Sequence, residues 1–202
     1  MSQATRKPRG EYAKTAARRQ EIVAAAVAVF SASGFRDGSV RDVAERAGLT
    51  HAGVMHHFPT KIDLLQAVLA WRDADALERL GARQPKGLDV VRAWLDEVGR
   101  NQSTPELVDL HVTLSAEGTS PDHPLRDYFI ERYDRVVELL SGALRVAAAR
   151  GELRPDVDPE QAARMLVAAT DGLQVQWLLN RDAVDMPAAL RRYVESLITV
   201  EL

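Results

Sequence analysis

Apolar residues recur at helical spacing along nearly the whole chain, and no stretch shows the sustained alternation of a strand. Between Ala16 and about Ser33, Ile22, Ala25, Ala26, Val29 and Phe30 share one face, while Arg18, Arg19 and Glu21 point elsewhere. Gly34 stops that helix. The pattern then tightens from Ser39 to Lys61, SVRDVAERAGLTHAGVMHHFPTK. Ser39 is placed to cap a short helix, with Asp42 reaching back as a capping box, and Val40, Val43, Ala44 and Ala47 give it one apolar face. Gly48 closes it where a left-handed backbone is easiest to reach. Thr50 caps a second short helix that Pro59 cannot continue, and Thr60 restarts the chain with a box to Asp63. Helix, glycine-containing turn and helix at this spacing describe a helix-turn-helix unit. Phe35 and Phe58 are expected to fill its small core.

A further helix leaves Lys61 without a flexible linker and carries Ile62, Leu64, Leu65, Val68, Leu69 and Trp71 to about Leu80. A loop from Gly81 to Gly87 follows. Four more segments read as helices: Leu88 to about Gln102, Pro105 to Gly118, Leu125 to Arg150 and Pro159 to about Asn180. Asp122 is the expected cap of the third, ahead of Pro124. A last helix runs from Pro187 through Leu190, Tyr193, Val194, Leu197 and Ile198. The Pro159 helix is apolar around much of its circumference and must be buried on several sides. That surplus, in the two terminal helices, points to a subunit interface.

The predicted fold is therefore all-α. A three-helix head with a helix-turn-helix is joined by a shared helix to a helical bundle body. The boundaries are a basic arm over residues 1–15, a helix-turn-helix domain over 16–61 and a helical body over 62–202.

Composition sharpens this in two places. The 202 residues include no cysteine, which removes disulfides, thiolate metal sites and thiol nucleophiles. The net charge of −3 divides unevenly: ten Lys/Arg face five Asp/Glu in residues 1–61, against sixteen and twenty-four in the rest. A basic head on an acidic body suggests a polyanion at one end only, although chance clustering explains the charge alone equally well. The longest apolar run, Ile22 to Phe30, is nine residues and far short of a membrane span. No signal-peptide pattern precedes it, so a soluble cytoplasmic protein without membrane association is expected.

The second turn helix is the candidate DNA-reading element. It carries His51, His56 and His57, with the small residues Ala52 and Gly53 letting the backbone approach a groove. A capped helix start is an anion site, and His51 can donate to or accept from a base edge. Arg41, Lys61 and the basic arm supply salt-dependent affinity; the arm serves equally as a solubilising tail. For His57, beside Phe58, structural support competes with DNA contact. The three histidines lack the pairing and the carboxylate of a metal site, so no metal and no cofactor is expected. In the body, His111, Glu117 and His123 are scattered, without a nucleophile or a paired acid, and read as cavity lining or surface. Trp94, His111, Gln174 and Trp177 are the candidate ligand contacts, although aromatics on buried helices more often form core or interface.

The segment from Gln20 to Leu65, with AGLTHAGVMHHFPTK at its centre, resembles the DNA-binding domain of TetR-family transcriptional regulators. The piece DGLQVQWLL, Asp171 to Leu179, resembles a penultimate helix of that family. The resemblance implies a homodimer of subunits with about nine helices, the first three on DNA and the rest around a ligand pocket. It implies a repressor that leaves its operator when a small molecule binds. The two C-terminal helices pair with their symmetry mates, for which Met165, Ala169, Gly172, Leu173, Tyr193 and Leu197 are the candidates. By position, Thr50 corresponds to a phosphate-binding Ser/Thr, His51 and Ala52 to base-reading positions with Gly53 beside them, His56 and His57 to a backbone-contacting pair, and Lys61 to a phosphate-binding lysine. Two residues depart from the pattern: Met55 stands where Tyr is usual, and His51 where Lys is common. The expected partners are double-stranded DNA with a palindromic operator, a second copy of the chain and an unidentified small-molecule effector. A helical small-molecule-binding module or enzyme without DNA function is the alternative, and it leaves the basic head unexplained.

Overall fold

A computed structural model describes the backbone of residues 9–83 and 85–202, and the side chains of residues 14–79 and 85–202. Nine helices are present among the described residues: α1 Arg9–Asp37, α2 Val40–Arg46, α3 His51–His57, α4 Lys61–Arg83, α5 Leu88–Asn101, α6 Pro105–Glu117, α7 Arg126–Ala149, α8 Pro159–Leu179 and α9 Met186–Glu195. Among these residues the extended pairing is an isolated antiparallel bridge between Leu153 and Ile198. The chain divides into two compact units between Trp71 and Arg72, inside α4.

Four boundaries differ from the hydrophobic pattern, α4 running on to Arg83 through the start of the expected Gly81–Gly87 loop. Gly34 breaks α1 as expected, with a non-helical φ of 72°. Helix α1 begins at Arg9 and takes in half of the stretch read as a basic arm, residues 1–8 of which lie outside the described residues. Arginine, lysine, glutamate and alanine are sound helix formers, so helix propensity carries α1 back to Arg9. Helix α7 starts at Arg126 after Leu125, which has no side-chain cap. His123 does the work expected of Asp122, its Nδ1 accepting from the Leu125 N–H at 3.2 Å. Helix α9 ends at Glu195, because the chain beyond it turns to pair: Arg154 donates to the Leu197 carbonyl at 2.9 Å and Thr199 to that of Glu152 at 2.9 Å.

In the first unit, Ile22, Ala26 and Phe30 of α1, Val43 of α2, Val54 of α3, Phe58 and Leu64, Leu65 and Val68 of α4 form the interior, with Phe35 also buried. Each fully buried aliphatic or aromatic side chain contributes roughly 1.5–3 kcal/mol. Both expected capping boxes are formed. Ser39 Oγ accepts from Asp42 N at 3.2 Å while Asp42 Oδ2 accepts from Ser39 N at 2.8 Å, and Thr60 and Asp63 repeat the exchange at 3.1 and 2.8 Å. Gly48 holds φ at 64° and ends α2, with Leu49 N donating to Ala44 O at 2.9 Å to close the turn. Gly38 is required for a different reason: a Cβ there would lie 2.8 Å from both the Gly34 carbonyl and the Phe30 ring.

The second unit packs α8 mainly against α7, with α9 and α6 also against α8 and α5 between α7 and α9. Val91, Leu95, Leu140, Leu144, Ala163, Leu166, Leu190 and Val194 lie in one continuous core. The buried face of α8 is Ala162, Ala163, Leu166, Val167, Thr170, Gln174 and Trp177. Its opposite face leaves Met165, Val175 and Leu179 exposed.

Gly48→Ala tests the turn. Nothing lies within 4 Å of a Cβ there, so only backbone strain operates. The expected loss is about 1 kcal/mol, read as a lowered urea midpoint for the first unit.

Candidate nucleic-acid interface and body cavity

The short helix α3 is anchored by its inner residues and free on its outer ones. Val54 is fully buried and Phe58, just past its end, nearly so. Thr50, His51, Ala52 and His56 are exposed, while Gly53, Met55 and His57 are half-buried. Arg41, on α2, is exposed as well. Thr50 Oγ1 accepts from Gly53 N at 3.1 Å, which leaves the hydroxyl proton free to donate outward. No apolar residue of α3 needs the outer face to hold the helix in place.

Two of the candidate residues also have work inside the unit. Lys61 Nζ donates to the Gly38 carbonyl at 2.8 Å and stands 5.9 Å from the Phe30 ring centre, so it ties the start of α4 to the loop ahead of α2. Arg19 donates to the His57 carbonyl and lies 4.1 Å from the Phe58 ring centre, pinning the end of α3 to α1. His57 stacks edge-on to His56 at 5.3 Å. Burial, then the charges of His56, Arg19 and Arg18, hold the His57 imidazole below its usual pKa. These ties pass through a lysine amine and an arginine fork, so periodicity does not reveal them.

The second unit holds a cavity of about 800 Å³, open to solvent on one side and lined by α4, α5, α6, α7 and α8. Val90, Val98, Leu139, Leu140 and Val167 make its apolar wall. Its polar end is a run of buried and half-buried groups from four helices. Asp73 of α4 receives Arg132 Nε at 3.0 Å and the Tyr128 hydroxyl at 3.1 Å, both from α7. Asp171 of α8 receives the Tyr133 hydroxyl at 2.8 Å, and its other oxygen stands 3.5 Å from His111 Nε2 of α6. Burial alone would raise the Asp171 carboxyl, but hydrogen bonds from His111 and Tyr133 and the charge of Arg132 outweigh it and hold it below the usual range. Burial, with the charge of Arg132, pushes His111 down to about 4, so the ring is neutral at pH 7.

Of the four ligand candidates, Trp94, His111 and Gln174 line this cavity. Trp94 Nε1 donates to Thr170 Oγ1 at 3.3 Å. Trp177 does not line it; the ring is packed in the core with Arg181 5.1 Å from its centre. His123 lies apart, 3.8 Å from Glu117. Arg72, Asp73, Arg132 and Asp171 were not legible as cavity residues, although an arginine–aspartate pair breaking the apolar helix after Trp71 was a visible signal. Of the interface candidates, Met165 and Gly172 are exposed, while Ala169, Leu173, Tyr193 and Leu197 are half-buried.

Two family models match the chain. "Bacterial regulatory proteins, tetR family" covers residues 22–68, and "BetI-type transcriptional repressor, C-terminal" covers residues 74–199. The chain is 30% identical over 168 residues to the HTH-type transcriptional regulator SrpR of Pseudomonas putida, covering 81% of this chain and 76% of that one. It is 25% identical over 200 residues to the HTH-type transcriptional repressor BepR of Brucella suis biovar 1, covering 96% and 94%. A structure of a transcriptional regulator from Saccharomonospora viridis in complex with choline is similar in fold, with a TM-score of 0.74 at 24% identity over 90% of this chain and 98% of that one.

The buried imidazole makes stability depend on pH. Its folded pKa of about 4 lies below the ordinary imidazole value of 6.5, so the unfolded chain takes up a proton first as pH falls. The stability it contributes is present above about pH 6.5 and is lost toward pH 4, with a slope of up to about 1.4 kcal/mol per pH unit. Urea titrations across that window should show His111→Gln with a flatter pH dependence than the unmodified protein.

Proposed function

The chain belongs to the TetR family and is a ligand-responsive DNA-binding transcriptional regulator, not an enzyme; from that premise we propose that it is a homodimeric repressor, released from a palindromic operator when an effector enters the body cavity. The observation that carries the DNA reading is the outer face of α3, where Thr50, His51, Ala52 and His56 are exposed and unneeded by the core. His51 and Ala52 meet base edges, with Gly53 admitting the backbone. Thr50, Arg41, His56, His57 and Lys61 meet phosphates. His57 and Lys61 do so while also holding the head together, so their substitution affects folding as well as affinity.

Members of this family bind DNA as dimers and bind small-molecule effectors. For this chain the dimer reading is supported by the outer stripe of α8. Met165, Ala168, Gly172, Val175 and Leu179 recur at alternating spacings of three and four, and Leu179 is 82% exposed. A dimer presents two copies of α3, which read half-sites one helical turn apart, about 34 Å. The repressor sign is supported by the C-terminal family model and by the likeness to BepR, itself described as a repressor. Helix α4 supplies the coupling. It begins at Lys61 and carries Arg72, Asp73, Ala76 and Arg79 into the cavity lining. An effector that contacts those side chains better in one setting of α4 shifts the population toward that setting. The protein acts in the cytoplasm, where its operator lies.

Titration of the palindromic promoter DNA against salt tests the reading. Affinity should fall steeply with salt, and Arg41→Ala should reduce the slope by about 1 while weakening all sequences alike. His51→Ala should change base preference more than overall affinity. Salt-insensitive binding, or no preference for the palindrome, overturns it. Leu179→Asp should shift sedimentation from dimer to monomer and weaken operator binding; an unchanged dimer would remove α8 from the interface.

A further inference from the structure

We propose that the body cavity takes an amphipathic organic acid, its carboxylate paired with Arg72 and a hydroxyl or N–H group donating to His111. This rests on the reading of the body as the effector-binding unit and names the chemistry of its ligand.

Arg72 is a buried cation without an anion. It is 8% exposed and lines the cavity, and its hydrogen bond is a single one, from Nη1 to the Leu107 carbonyl at 3.0 Å. Among the described residues no carboxylate lies within 4.0 Å of it. The neighbouring acids are spent. Asp73 holds Arg132 and Tyr128, and Asp171 holds Tyr133 and faces His111. The other arginines of the cavity are matched: Arg79 by Asp75 and Glu97, Arg100 by Glu97, Arg132 by Asp73 and Arg135 by Glu131. An arginine fork freed from water and left without a partner is an expensive arrangement that a bound carboxylate relieves with two parallel hydrogen bonds.

The second observation is independent of charge. His111 is 1% exposed and its Nδ1 has no partner; Gln174 is 3% exposed and its Oε1 has none. The Asp171 carboxylate opposite Nε2 fixes the ring proton there, so Nδ1 is an acceptor. It needs a donor. An amide can turn over and serve either way, so Gln174 adapts to the ligand, whereas His111 does not.

These two demands lie close together. Leu107, whose carbonyl holds Arg72, and His111 are four residues apart on α6, one turn along one face. Along the helix axis those two backbone positions are about 6 Å apart. The wall beyond, with Val90, Val98, Leu139 and Val167, suits a hydrocarbon remainder. A cationic ligand fits worse. It would meet Arg72 and Arg132 at the buried end, and the acids there already have donors.

The test uses the full-length protein and four matched probes: decanoate, 3-hydroxydecanoate, decanamide and decylamine, with affinities from calorimetry. Decanoate should bind at least tenfold more tightly than decanamide or decylamine, and 3-hydroxydecanoate more tightly again. Arg72→Gln should abolish the preference for acid over amide, Arg72→Lys should keep part of it, and His111→Leu should remove only the gain from the hydroxyl. No binding of either acid, an amide or amine as tight as the acid, or an acid preference that survives Arg72→Gln overturns the proposal. Should Arg72→Gln fail to fold by circular dichroism, the ranking of the four probes on the unmodified protein decides alone. Operator affinity is measured in parallel. Acid binding that leaves it unchanged counts against ligand-controlled release while upholding the acid site.

Discussion

Helix α4 has to satisfy two interiors with one sequence. Its first three turns give Leu64, Leu65, Val68 and Leu69 to the core of the head, and its later turns give Arg72, Asp73, Ala76 and Arg79 to the cavity of the body. An apolar stripe continued past Trp71 would make a more stable body and an emptier one chemically. The switch from leucine and valine to arginine and aspartate at residue 72 is where apolar packing gives way to the polar lining of the cavity. One helix therefore contributes side chains to both interiors.

Those charges are kept in the interior by a chain of mutual satisfaction. Tyr128 and Arg132 stand one turn apart on α7 and close on Asp73, and Tyr133, the next residue, reaches Asp171 on α8. Burial opposes the charges of Arg132 and Asp171, and specific partners outweigh it for both. For Arg72, burial and the charge of Arg132 outweigh the help of Asp73. A half-satisfied buried network costs stability compared with an apolar core. Its persistence here is consistent with a binding site that waits for its last partner and is difficult to explain as a device for folding.

Much of the fold was legible because it rests on local rules. Ser39 and Asp42, Thr50, Gly48, Thr60 and Asp63, and Pro105 and Pro159 each specify a helix end through contacts a few residues away, and all of them do so. The helix-turn-helix face was legible for the same reason: Val54 and Phe58 must point inward, which leaves Thr50, His51, Ala52 and His56 outward. What sequence reasoning missed is non-local. The end of the last helix is set by a bridge to Leu153, some 45 residues earlier in the chain. The cavity's polar end joins residues from 73 to 171, and only the packing of four helices brings them together. Trp177 and Trp94 look alike in periodicity, yet one fills the core and the other faces the cavity. Only the packing of α5 and α8 against their neighbours separates those fates, and composition does not record it.

The same logic explains how a short helix can change its sequence specificity without losing its place. Seven residues bury too little surface to hold α3 by themselves. Its position is borrowed from Val54, from the Gly48 turn before it, and from Arg19, which reaches across from α1 to the His57 carbonyl. None of these supports uses His51, Ala52 or His56. Lysine at position 51 or tyrosine at position 55, usual in relatives by resemblance, would leave the anchoring contacts of Val54, Gly48 and Arg19 in place. His51 and Met55 are therefore substitutions that the head tolerates structurally. They alter only the outward chemistry of α3.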